Sequence, residues 1–365
     1  MLRILLILTL CLSISGCMKQ EDKTKIGFLG TMSGRYSDIG QDTLKGAMLA
    51  YDVFPDKKST ELIVKDDTGT ASGGLTAMNY FESADVRYII GPDISTVATA
   101  VTPYLDGRYM FLLSPTVSTT ELAGKDDHFM RTMPHNSRRQ AENISKYLIN
   151  KLHIKDMVII YDSRNSSYST DIAKNVSEAF VNRGGRVRDI RNFNPESGES
   201  MYKLIEQDKN NPPQLYYLLS SAMDSALICW QIKKAGYGSK VLVRAWAATE
   251  EFFRFGGEAV DGTYMFDYYI DTATPAYKSF QAAYVKKYKK DPSIFSIYGH
   301  ECMYMLLNAL PDLNKGASFY DAVSASAKKL TLLTDFSFDE YGDSYIPLNF
   351  FEAKNNRFER KGPAE

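Results

Sequence analysis

The sequence predicts an α/β fold made of two doubly wound parallel-sheet lobes, and three observations carry that prediction. From Lys25 onward, short apolar runs alternate with amphipathic stretches, the pattern of parallel strands covered by helices. The alternation restarts near Arg131–Ser137, as a second unit of the same kind would require. The chain has 365 residues, whereas single hydrophobic cores stop growing at about 250–300 residues.

The elements follow in order. Arg3 precedes the apolar run Ile4–Ile14, and Ser15, Gly16 and Cys17 close the segment. A positive start, a short apolar stretch and small residues describe an export signal over residues 1–17. The run is too short to span a bilayer, which takes about 20 residues. Ile14-Ser15-Gly16-Cys17 resembles a bacterial lipobox, which implies cleavage before Cys17 and diacylation of its thiol. An ordinary signal with an incidental thiol is the alternative. Acyl chains would anchor the protein to a membrane without spanning it. Export and lipid anchoring place the chain on the periplasmic or outer face of the cell membrane. Met18 leaves an outer-membrane destination open.

After a polar spacer (18–24), Lys25–Gly30 reads as a buried strand and Gly40–Phe54 as a helix with Leu44, Ala47, Met48 and Tyr51 on one face. Glu61–Val64 is a strand, Gly74–Ser83 a helix, Val86–Gly91 a strand, Ser95–Leu105 a helix and Tyr109–Leu113 a strand. The second run begins with a helix at Arg138–Leu152. It continues as strand Met157–Tyr161, helix Ser169–Arg183, strand Arg186–Ile190, a helix near Met201–Gln207, strand Leu215–Leu219, helix Ala222–Ala235 and strand Lys240–Ala245. Thr263–Tyr268 is a further strand. The helices Pro275–Lys289, Ile294–Leu310 and Phe319–Ala327 follow, and Phe336–Asp343 and Ile346–Phe358 read as short strands joined by glycine-containing turns. No solenoid-length repeat or low-complexity segment is present.

Lys and Arg number 43 against 44 Asp and Glu, a balance without the basic footprint of a nucleic-acid binder. The four histidines, His128, His135, His153 and His300, do not fall at metal-ligand spacing with Cys or acids. No metal or cofactor is expected. No nucleophile elbow, P-loop or dinucleotide glycine triplet occurs, so nothing points to an enzyme. Cys229 and Cys302 lie in apolar helical patterns and read as buried free thiols.

Several ordered features carry a family resemblance. They are Ile26–Gly46, Ile90-Gly91-Pro92 with Ser95, Leu113–Thr116, Phe129–Thr132, Tyr298-Gly299 with Ala309-Leu310, Phe338-Asp339 with Gly342-Asp343, and Asn356–Phe358. Together they resemble the type I periplasmic binding proteins of the branched-chain amino-acid transport group. The resemblance implies a Venus-flytrap architecture with a three-strand hinge. Lobe 1 would span 25–138 plus 269–329, and lobe 2 would span 139–268 plus 330–365. It also implies a monomer that captures an amino acid or similar small polar solute for an ABC permease. The rival expectation is a lipoprotein of the same fold that regulates envelope enzymes or receptors through protein contacts.

Ligands of open α/β sheets sit outside the carboxyl ends of the strands. Ser95 and Thr96 follow one such end and can cap a helix or hold a carboxylate. Thr116 and Ser118 follow another, where Ser118 can equally be a turn residue. Tyr168 resembles the family's aromatic contact from the second lobe. Glu250 is the candidate for an α-ammonium, with Glu251 one residue away and Asp224 a weaker choice. Trp246 can stack on a ligand or sit in the core. Tyr36 and Ile39 are candidates for the side-chain pocket.

Overall fold

The computed structural model describes residues 23–125, 128–135, 137–333 and 336–364. The export signal, Cys17 and residues 18–22 of the expected spacer lie outside the described residues.

Two parallel sheets form the frame. The first contains β1 (Thr24–Gly30), β2 (Thr60–Asp66), β3 (Tyr88–Ile90), β4 (Phe111–Ser114) and β5 (Phe129–Arg131), side by side as β2-β1-β3-β4-β5. The second contains β6 (Asp156–Asp162), β7 (Arg186–Phe193), β8 (Leu215–Leu219), β9 (Lys240–Arg244) and β10 (Tyr264–Tyr268), as β7-β6-β8-β9-β10. Counted from the first strand of each sheet, the two orders are the same. All neighbours in these two sets run parallel. The short pair β11 (Ser337–Phe338) and β12 (Ser344–Tyr345) stands apart, while β13 (Leu348–Lys354) and β14 (Arg357–Pro363) extend the second sheet antiparallel beyond β10.

Helices cover both faces, so the central strands are apolar throughout rather than alternating. All five residues of β8 (LYYLL) are buried, as are Met157–Ile160 of β6. Hydroxyl caps start many of the helices. Thr70, Ser137, Ser221, Thr274, Ser293 and Ser318 each accept a hydrogen bond from a backbone N–H of the first turn.

The expected elements are present, with shifts that have local causes. The first helix starts at Ser37 rather than Gly40, fed by a 3-10 turn at Gly34–Tyr36. The helix from Ser95 is α-helical only to Val101 and continues as a 3-10 turn over Thr102–Leu105, where Pro103 supplies no N–H. The turn between β13 and β14 is Asn355-Asn356, not a glycine turn. Both asparagines take positive φ, 52° and 59°, which Asn tolerates better than most residues. Cys229 and Cys302 are buried and free.

The helix Ile294–Leu313 returns late in the chain to pack on the helix Ser37–Asp52 beside the first sheet. Glycines permit the close approach. A Cβ on Gly46 would overlap the Ser296 carbonyl oxygen, and one on Gly299 would overlap that of Thr43. A second tie joins two crossings between the sheets. Arg131, fully buried at the end of β5, donates from Nε to Asp343 Oδ1 at 2.6 Å and from Nη1 to the Thr119 carbonyl at 2.6 Å.

Gly46→Ala or Gly299→Ala should therefore destabilise the fold by about 1–3 kcal/mol through overpacking, read as a lower urea midpoint. Gly238→Ala, where an added Cβ meets nothing within 4 Å, should stay within about 0.5 kcal/mol.

Candidate functional site

The carboxyl ends of both sheets open onto one cavity. The first sheet supplies Asp93 and Ser95 after β3, and Thr116 and Ser118 after β4. The second supplies Asn165 and Tyr168 after β6, Arg244 and Trp246 at the end of β9, and Asp267 and Tyr268 from β10; Ile39, Met133 and Phe295 add apolar wall. The enclosed space is small, ≈ 30 Å³, room for two or three buried waters at about 10–15 Å³ each. A roomier hollow beside Thr102, Glu121 and His128 is open to solvent and lined by the first lobe alone, so its occupant would not link the lobes.

Six of the expected residues meet in the interlobe cavity: Ile39, Ser95, Thr116, Ser118, Tyr168 and Trp246. Ser95 is not the cap of its helix. Ile94 holds that position, and Ser95 Oγ instead accepts from the Ser118 N–H at 3.4 Å. Thr116 Oγ1 donates to the Asp93 carbonyl at 2.7 Å. Tyr168 meets Trp246 edge-on, with ring centroids 5.2 Å apart. Ile39, expected in the side-chain pocket, lines the cavity.

Thr96 and Tyr36 join the lobes beside the cavity. Thr96 donates from N and from Oγ1 to Asn165 Oδ1, both at 3.3 Å. Tyr36 donates its hydroxyl to Asp162 Oδ2 at 2.6 Å, and its ring backs Trp246 at 5.3 Å. Further direct bonds join the lobes. Arg35 Nη1 pairs with Asp224 Oδ1 at 2.7 Å, Thr249 Oγ1 donates to Asp38 Oδ2 at 2.9 Å, and the Thr120 N–H donates to Asp171 Oδ2 at 2.6 Å.

Glu250 is not brought to the cavity. The chain leaves β9 through a 3-10 turn, Ala245–Ala247, and a helix then begins at Glu250. Glu250 is exposed in a surface hollow with Asp42, Lys45 and Lys290. Glu251 shares that hollow and pairs with Arg254 at 2.6 Å. Asp224 is occupied by Arg35, with Ser221 donating to it at 2.8 Å.

The charged residues that do line the cavity, Arg244, Asp267 and Asp93, were not among the candidates read from the sequence. Asp267 carried a signal: an acid inside the otherwise apolar strand YMFDY must be buried on a covered sheet. Burial pushes Asp267 up to about 7. It does the same to Asp93, also about 7, helped by the charge of Asp67. Asp38 and Asp67 are each raised to about 6, mainly by burial. Among the described residues, no group of three or more His, Cys, Asp or Glu side chains is placed to hold a metal ion, and no helix is long and apolar enough to cross a membrane.

A sequence profile of the periplasmic binding protein family matches residues 23–361. The Leu/Ile/Val-binding protein homolog 3 of Brucella melitensis is 23% identical over 260 residues, 69% of each chain. A leucine binding protein of Thermotoga maritima superposes with a TM-score of 0.82 at 21% identity, covering 93% of this chain and 98% of that one. A solute binding protein of an ABC transporter from R. palustris, in complex with benzoate, superposes at 0.80 with 16% identity, covering 94% and 96%.

An acid whose folded pKa is raised contributes stability below its unfolded pKa and loses it as pH rises through the folded value. For Asp38, Asp67, Asp93 and Asp267 that window runs from about 4 to about 7. His135, lowered chiefly by burial, acts in the opposite sense. With four acids against it, the melting temperature should be higher at pH 5 than at pH 8, and Asp93→Asn should flatten that slope.

Proposed function

The chain belongs to the periplasmic binding protein family, and from that premise we propose that it is an extracytoplasmic solute-binding lipoprotein of an ABC transporter. It captures an amino acid or similar small polar solute between its lobes, works as a monomer and delivers the solute to a membrane permease. Lipidated Cys17 holds it beside that partner, where tethering raises effective concentration. No bond is made or broken. The observation that carries this reading is the cavity between the two sets of strand ends, lined from both lobes by hydroxyls, aromatic rings and three charged side chains. A ligand touching both lobes favours their closed arrangement over an open one, which is what couples binding to a change of shape.

Two relatives support a small solute as the ligand. One relative carries Leu/Ile/Val in its name and another holds benzoate. Ser95, Thr116, Ser118, Tyr168 and Trp246 are the proposed contacts, with Tyr36 and Thr96 supporting closure and Glu250 left without a ligand role.

A second reading, in which the protein regulates an envelope partner through contacts of its closed lobes, is favoured by the direct interlobe bonds of Arg35, Tyr36 and Thr249. Those bonds join the two surfaces directly.

The chain has two tryptophans. Trp230 is on the surface, donating to the Phe255 carbonyl, and Trp246 is in the cavity. Trp230→Phe leaves Trp246 as the reporter. Titration with amino acids, their amides and aromatic acids should give a saturable fluorescence change with at least one compound. The same compound at about 100 times its Kd should stabilise the fold by about 2.7 kcal/mol. A panel that moves neither signal would count against solute binding and for the regulatory reading.

A further inference from the structure

We propose that the protein rests closed: a latch of side chains on both flanks of the cavity holds the lobes together before any solute arrives, and a solute must open it to enter. The latch goes beyond the solute-binding reading and does not depend on it. Its competition with a solute rests on that reading.

On one flank, the 3-10 turn Gly34–Tyr36 and the start of the helix Ser37–Asp52 reach across the cleft. Arg35 Nη1 pairs with Asp224 Oδ1 at 2.7 Å, the Tyr36 hydroxyl donates to Asp162 Oδ2 at 2.6 Å, and Asp38 accepts from Thr249 at 2.9 Å. The Arg164 guanidinium, itself paired with Asp162 at 2.8 Å, lies over the Tyr36 ring, 4.8 Å from its centroid. A cation–π contact thus joins the lobes beside the hydrogen bonds. On the other flank, the start of the helix Ser166–Asn182 reaches back. Asp171 accepts from the Thr120 N–H at 2.6 Å and from its hydroxyl at 2.5 Å, a two-point clasp on one carboxylate. The Ser167 N–H donates to Thr96 Oγ1 at 3.4 Å, and the Thr99 and Ser167 hydroxyls meet at 3.3 Å. Hydrogen bonds to ionised groups are the stronger kind. Asp162 and Asp224 are buried, where water competes little for them.

What the latch encloses is small. At ≈ 30 Å³ the cavity has room for two or three waters, less than the smallest amino acid takes. A solute of that size needs the same walls farther apart, and the latch bonds are what it must lengthen or break. A resting population about 90% latched lowers the apparent affinity about tenfold, because only the remaining fraction admits the solute.

The latch can be cut without stranding a buried charge. In Arg35→Ala/Tyr36→Phe, Asp224 keeps the Ser221 hydroxyl at 2.8 Å and Asp162 keeps Arg164. The protein is first unfolded and refolded by dialysis, which strips any solute carried through purification. Small-angle X-ray scattering should then give the radius of gyration of the closed form for the parent and a larger one for the variant. Acrylamide quenching of Trp246 in the Trp230→Phe background reads the same change. It should be weak in the parent, where Trp246 is 5% exposed, and several-fold stronger in the variant. If the double variant does not fold, Thr249→Val takes its place. An open parent, or a variant as closed as the parent, overturns the latch. Titration with isoleucine and with benzoate reads the competition. Whichever binds should bind the variant about tenfold tighter, and equal or weaker binding overturns the competition. Binding of neither counts against the solute reading alone, and the scattering still decides the latch.

Discussion

A parallel strand delivers the loop that follows it to one edge of its sheet, and much of this molecule follows from having two such edges turned toward each other. The strand orders β2-β1-β3-β4-β5 and β7-β6-β8-β9-β10 are the same pattern repeated. Each sheet therefore collects its post-strand loops at a single crevice. Asp93, Ser95, Thr116 and Ser118 arrive from one side, and Asn165, Tyr168, Arg244 and Trp246 from the other. The chain must cross between the sheets to build this arrangement. The late helix Ile294–Leu313 returns to the first sheet's side through the contact of Gly46 and Gly299, and Arg131 joins two of the crossings by its bond to Asp343.

The lobes meet through bonds of their own as well as through the cavity. Arg35–Asp224, Tyr36–Asp162 and Thr249–Asp38 all cross the cleft. Asp224 and Asp162 are buried, so these are not the freely solvated pairs that contribute little. Such bonds lower the free energy of the closed arrangement whatever occupies the cavity, and a solute adds to that only by its differential contact with the closed form. Tyr36 couples the two layers, since its hydroxyl bridges the lobes and its ring supports Trp246.

Much of the fold was legible in the sequence because parallel strands buried on both faces leave short unbroken apolar runs, as in Leu215–Leu219. The helix starts were less so, since Gly34–Tyr36 and Ser163–Asn165 form 3-10 turns that periodicity does not separate from loop. The hydroxyls at strand ends were found because strand ends are where such sheets place ligands. The charges were not. Arg244 closes a strand beginning at Lys240 and reads as a solvated terminus until tertiary packing buries it. Glu250 looked well placed by counting from the strand, but the turn at Ala245–Ala247 carries the chain away before it is reached. Asn165 sits in the polar stretch Ser163–Ser167, and it is that stretch which bonds to Thr96.

These corrections shift attention from an ammonium cage at Glu250 to the cavity shared by the two sets of strand ends. A crystal structure of the protein with a bound solute tests that picture directly. The account predicts the solute in this cavity, touching Ser95, Thr116 or Ser118 from the first lobe and Tyr168 or Trp246 from the second. A ligand seated beside Glu250, or held by one lobe only, would contradict it.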